Sequence, residues 1–146
     1  MRETLSKLQI ALTAVLLLVG CNGRSQPNID GSVDYKTELA PLIGIWESEG
    51  ATALIVERKG DKIIIRNPTN EVWRFEITDV AKVDQSIFFT QRSYLLDGSS
   101  HPFNGVACKC KISPKDGDPD ALVYALTSEQ SKDIPPDVLR RSKVKT

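Results

Sequence analysis

Val72-Trp73-Arg74-Phe75-Glu76-Ile77-Thr78 is the stretch that decides the fold class. Trp73, Phe75 and Ile77 fall on one face of an extended chain, Arg74 and Glu76 on the other. Period two, carried by β-branched and aromatic residues, is the pattern of a strand with one buried and one wet face.

The neighbouring segments read the same way. Upstream, Ile45 to Ser48 meets a turn at Glu49-Gly50, and Thr52 to Arg58 runs through Lys59-Gly60-Asp61-Lys62 into Ile63-Ile64-Ile65. Asn67-Pro68-Thr69-Asn70 then breaks the chain. Downstream, Lys82 to Gln91 reads as a strand extending toward Leu96, and Asp97-Gly98-Ser99-Ser100 turns the chain. Asn104 to Ile112 and Leu122 to Thr127 follow, separated by the turn-rich Pro114 to Asp120. The expectation is an all-β domain over residues 43–127: a small antiparallel meander of about seven strands, closed into a barrel or a strongly curved sheet that hides its own edges. About 85 residues bury one modest core and leave no room for a second domain.

The flanks differ in character. Residues 128–146 are expected to be a polar, basic tail, with Pro135-Pro136-Asp137 opening a short helix through Val138 and Leu139. Arg140, Arg141, Lys143 and Lys145 would be solvated there, or would lie against anionic headgroups. Residues 22–42 are polar with scattered Gly, Pro and Ser, and read as a flexible tether spanning roughly 25 Å; the alternative is an ordered first strand around Val33 to Tyr35.

The apolar run Leu8 to Gly20 is 13 residues long, too short to cross a bilayer, which takes about 20. Arg2 and Lys7 precede it, which gives the anatomy of a signal peptide. It closes on Leu18-Val19-Gly20-Cys21, which resembles the lipobox of bacterial membrane lipoproteins. That resemblance implies cleavage between Gly20 and Cys21, a diacylglycerol thioether on Cys21, and an acyl chain such as palmitate on its new amino group. Two or three chains make attachment effectively stable, whereas one holds only marginally. Asn22, where an Asp commonly retains such proteins at the inner membrane, implies the outer membrane in a Gram-negative envelope. The loss of Arg2, Lys7 and Glu3 leaves 17 basic and 18 acidic residues. A chain so nearly neutral has no general attraction for nucleic acid, and no nucleic-acid partner is expected.

Gly44-Ile45-Trp46 opens the first strand of the domain. With the strand count, this Gly-x-Trp resembles the calycin-type barrels, the lipocalins and avidins. The resemblance implies that Trp46 closes one end of a barrel while the other end admits a small or apolar ligand. Lipocalins also carry a later Thr-Asp-Tyr, where this chain has Thr78-Asp79-Val80. An eight-stranded interior holds at most one small ligand, and Trp73, Phe75 and Phe89 are the candidates to line it.

Cys108 and Cys110 share a strand face with Val106 and Ile112, opposite Lys109 and Lys111, so both sulfurs are expected to face inward. An oxidising envelope favours a disulfide. Positions i and i+2 of a strand, however, sit about 6.6–7 Å apart, at the limit of disulfide geometry. A soft-metal site would have His101 as its only histidine, short of a closed four-ligand set. Two buried thiols acting as small hydrophobes are the third reading. Asp116-Gly117-Asp118-Pro119-Asp120 starts like a calcium loop, but Ala121 and Thr127 stand where that loop needs Gly and Glu, so a hairpin turn is expected. No nucleophile and base stand in a recognisable catalytic pattern.

The sequence thus points to a non-catalytic envelope lipoprotein without a cofactor. It would bind either a small apolar ligand or another envelope protein, with metal handling by Cys108 and Cys110 as a third course.

Overall fold

The computed structural model describes residues 31–144. Nine strands build it: β1 (Ser32–Asp34), β2 (Gly44–Ser48), β3 (Ala51–Lys59), β4 (Lys62–Arg66), β5 (Trp73–Val83), β6 (Ser86–Leu95), β7 (Ala107–Lys115), β8 (Asp118–Leu126) and β9 (Asp137–Arg141). All pairings are antiparallel, in the order β1-β4-β3-β2-β9-β8-β7-β6-β5. The fold is all-β, a sheet curled into a nearly closed barrel.

The curl closes through β9, which pairs with β8 along Ala121–Tyr124 and with β2 at Trp46 and Glu47. That pairing joins the β2–β4 meander to the β5–β9 meander. The remaining gap lies between β4 and β5, and β1 fills it. β1 pairs with β4, while a Cβ on Gly31 would come within 3.1 Å of the Ile77 carbonyl oxygen on β5. With φ of +65° as well, position 31 accepts glycine and little else.

Strands β2 to β8 are the seven that periodicity anticipates; β1 and β9 are additional. The tether therefore does not extend to residue 42. Ser32 to Asp34 are a strand, and Thr37–Leu42 form a 3-10 helix whose Leu39 and Leu42 are fully buried. The C-terminal segment also differs from expectation: Asp137 to Arg141 pair as a strand instead of starting a helix, and Leu139 is buried. Asp137 can open a strand because Pro135 and Pro136 lie outside it and take no ladder bond from it.

One irregularity sets the register of β5. Pairing with β6 shifts between Thr78 and Ala81, where Asp79 adopts φ of +54°. Such a bulge adds a residue to one strand, so Ile77 and Val80, rather than Ile77 and Asp79, face the core. The strand then continues to Val83, and Asp84-Gln85 turns it into β6.

The inward residues stack into one core, with Trp46, Leu54, Ile63, Ile87, Ile112 and Leu122 all fully buried. Alternation of buried and wet positions along each strand places them there. The turn at Asp116-Gly117 joins β7 to β8, and Asp118 and Asp120 face Arg140 and Arg141, so this acidic run is a hairpin turn.

Candidate functional site

The two ends of the barrel are built differently. One is plugged. The 3-10 helix Thr37–Leu42 lies across it, and Trp46 stands beneath with its indole Nε1 donating to the Leu42 carbonyl at 2.8 Å. Arg141, opposite Trp46 in the β2–β9 register, covers the outer side of the indole, its guanidinium 4.4 Å from the ring centroid. Its donors reach the carbonyls of Ile43 (2.7 Å), Pro41 (3.2 Å) and Pro119 (3.3 Å) and the carboxylate of Asp120 (3.1 Å). One planar fork thus ties the helix, β9 and the β7–β8 hairpin together. Gly44 is required here, since a Cβ would sit 2.5 Å from Nη1 of Arg141.

The other end is open. It is rimmed by the loops β4–β5, β6–β7 and β8–β9, together with the Glu49-Gly50 turn. Between the β6–β7 loop and the β8–β9 connection lies a groove of about 410 Å³. Phe103, Val106, Cys108, Leu126 and Ile134 supply its apolar wall, and Ser131 a polar one. Phe103 is 65% exposed, at the edge of this apolar wall. Inside the mouth the interior turns mixed: Asn67 Nδ2 donates to Gln91 Oε1 at 3.3 Å, at the level where Gln91 faces Cys108.

The aromatic residues expected to line a ligand site are dispersed. Phe89 is buried in the core with its ring centroid 6.2 Å from that of Tyr124. Trp73 lies at the rim, edge-on to His101 at 5.3 Å, and His101 in turn contacts Phe103 at 5.7 Å. Phe75 is half-buried on β5. None of the three lines the groove. Phe103 and Ile134 come from turn-rich segments, where they have no periodic partners; an apolar residue stranded among Pro, Gly and Asn is the signal that finds them.

Cys108 and Cys110 are both free thiols here. Cys110 is buried, and Cys108 is half-buried in the groove wall. The Tyr124 hydroxyl donates to Cys110 Sγ at 3.1 Å, and the Cys110 thiol is 3.5 Å from the Cys108 carbonyl oxygen it donates to. Burial pushes the Cys110 thiol up to about 11, partly opposed by the bond from Tyr124. Burial likewise lifts the Tyr124 phenol well above its usual range, with Cys110 adding to the effect. A thiol so protonated is a poor nucleophile. Among the described residues no three His, Cys, Asp or Glu side chains gather as a metal site. Cys21, and with it the lipid attachment and the cleavage after Gly20, lies outside the described residues.

No protein-family model matches the chain, and neither a curated protein nor a solved structure gives a significant match.

Proposed function

We propose that the chain is a lipid-anchored envelope protein whose calycin-like barrel takes up a small apolar ligand at its open end, without catalysis. The observation that carries this reading is the contrast between the ends: one sealed by Leu39, Leu42, Trp46 and Arg141, the other opening onto an apolar groove with an exposed phenylalanine. Concave, mostly apolar sites with a few polar groups are where small ligands bind. Ser128, half-buried in the lining with its Oγ 2.8 Å from Ser131 Oγ, offers a polar contact beside the apolar wall, suited to a ligand with one polar group.

Titration with an apolar fluorophore such as N-phenyl-1-naphthylamine tests it. Phe103→Ser and Ile134→Ser should each weaken binding several-fold. Val83→Ser, which changes an exposed residue at the plugged end, should leave binding unchanged. Equal behaviour of all three variants would defeat the assignment of the groove. In that case a role in binding another envelope protein through the same exposed rim becomes the better reading.

A further inference from the structure

Of the large apolar side chains exposed among the described residues, Val72, Leu96, Phe103, Val106 and Ile134 lie at the open end, whereas Val83 and Val144 lie at the plugged end and Val138 on β9. Val72 and Leu96 are about half exposed and adjacent, Leu96 N donating to the Val72 carbonyl at 2.9 Å. Phe103, Val106 and Ile134 continue the surface across the groove, and the Trp73–His101–Phe103 ring contacts join the two parts. A continuous apolar rim on a small domain marks an interaction surface.

The path of the chain says what that surface meets. β1 runs antiparallel to β4, so it travels from the open end toward the plug. Ile65 N donates to the Gly31 carbonyl at 3.1 Å, two residues before β4 gives way to the open-end loop at Asn67. Gly31, where the described residues begin, therefore lies on the side of β1 that faces the open end and its apolar rim. Cys21 is ten residues from Gly31, a lead that reaches at most about 35 Å.

We infer that the open-end rim of Val72, Leu96, Phe103 and Ile134 is a docking face for a zwitterionic lipid bilayer, held against it by the short lead from Cys21. This placement rests on the lipid-anchor reading of Cys21 and is independent of what the groove binds. Charge selects the lipid. The open-end loops carry Glu49, Glu71, Asp97, Glu129 and Asp133, against His101 and a Lys132 that is already paired with Glu129 at 3.4 Å. The basic residues Arg140, Arg141 and Lys143 sit at the plugged end, away from the rim. Apolar burial in the headgroup region thus drives docking, and an anionic surface opposes it.

The test uses the mature lipidated chain reconstituted into phosphatidylcholine vesicles with brominated acyl chains. Trp73 stands at the rim and Trp46 is buried in the plug, so bromine should quench only part of the emission, up to about twofold overall. Combining Val72→Asp with Leu96→Asp, neither of which lines the groove, should abolish the quenching while fluorophore binding persists. Replacing a third of the lipid with phosphatidylglycerol should reduce it. Protein that floats with the vesicles yet shows no quenching overturns the docking face, as does quenching indifferent to the double substitution. Protein that does not float overturns the anchor and this placement together. A rim shielded only in native membranes and not in the vesicles overturns it in favour of a protein partner.

Discussion

Replacing Arg141 with Ala should open the plugged end of the barrel, and the structure sets the size of the effect. The side chain is a third exposed, so only part of its interaction is shielded from water. Its short bond to the Ile43 carbonyl contributes about 1.5 kcal/mol, and the longer ones to Pro41 and Pro119 less than about 1 kcal/mol together. Stacking on Trp46 adds about 1 kcal/mol. A total loss of about 3 kcal/mol lowers the melting temperature of a domain this size by roughly 10 °C. Gly44→Ala should act on the same contacts, because its Cβ would displace Nη1 from 2.5 Å away. The two substitutions together should then cost less than their sum, with a coupling of about 1–2 kcal/mol in a double-mutant cycle read by urea unfolding. Additivity within about 0.5 kcal/mol, or an Arg141→Ala cost below about 1 kcal/mol, would refute the reasoning.

Stability should fall in alkali. The Cys110 thiol ionises near 9.0 when unfolded and about 11 when folded, so the folded state retains its proton where the unfolded state loses it. Its contribution is present below pH 9 and disappears as pH rises through 11, at a cost of roughly 2 kcal/mol, and Tyr124 deepens the loss from pH 10 upward. Urea midpoints at pH 8 and 10.5 measure this, and Cys110→Ala with Tyr124→Phe should flatten the dependence. In a thiol-labelling time course at pH 8, Cys108 should react well before Cys110; equal rates would contradict the burial difference. Gly31→Ala forces a Cβ to 3.1 Å from the Ile77 carbonyl oxygen at positive φ, and should cost about 1–3 kcal/mol with faster amide exchange in β1 and β4. Cys21→Ala should abolish lipid labelling and leave the precursor unprocessed at that site; attachment that persists unchanged would remove the anchor.

Seven of the nine strands were legible because their signals are local. Trp73, Phe75 and Ile77 alternate within one segment, and Gly60, Gly98 and Gly117 mark turns at positive φ. β9 carries no such signal, and β1 only enough to make a strand around Val33 to Tyr35 the alternative to a tether. Ser32 to Asp34 are three residues, held by pairing with Ile63 and its neighbours some thirty positions away. Asp137 to Arg141 resemble a helix start until Trp46 and Leu122 pair with them. Long-range pairing of this kind is invisible to a window of ten residues. Trp46 stands out in the sequence through its Gly-x-Trp, but its partner Arg141 lies in a segment that reads as a solvated tail. The bulge at Asp79 was equally hidden, because Asp in a left-handed conformation is a choice made by the sheet around it.

Mass measurement of the mature protein tests the central claim most directly. The chain is recovered from the envelope, incubated with a total lipid extract of the same cells, and weighed under native and then denaturing conditions. A barrel with an open apolar mouth predicts an added mass of one small molecule that denaturation releases and that Ile134→Ser diminishes. A native mass equal to the bare lipidated chain, before and after the extract, would contradict a ligand-binding role.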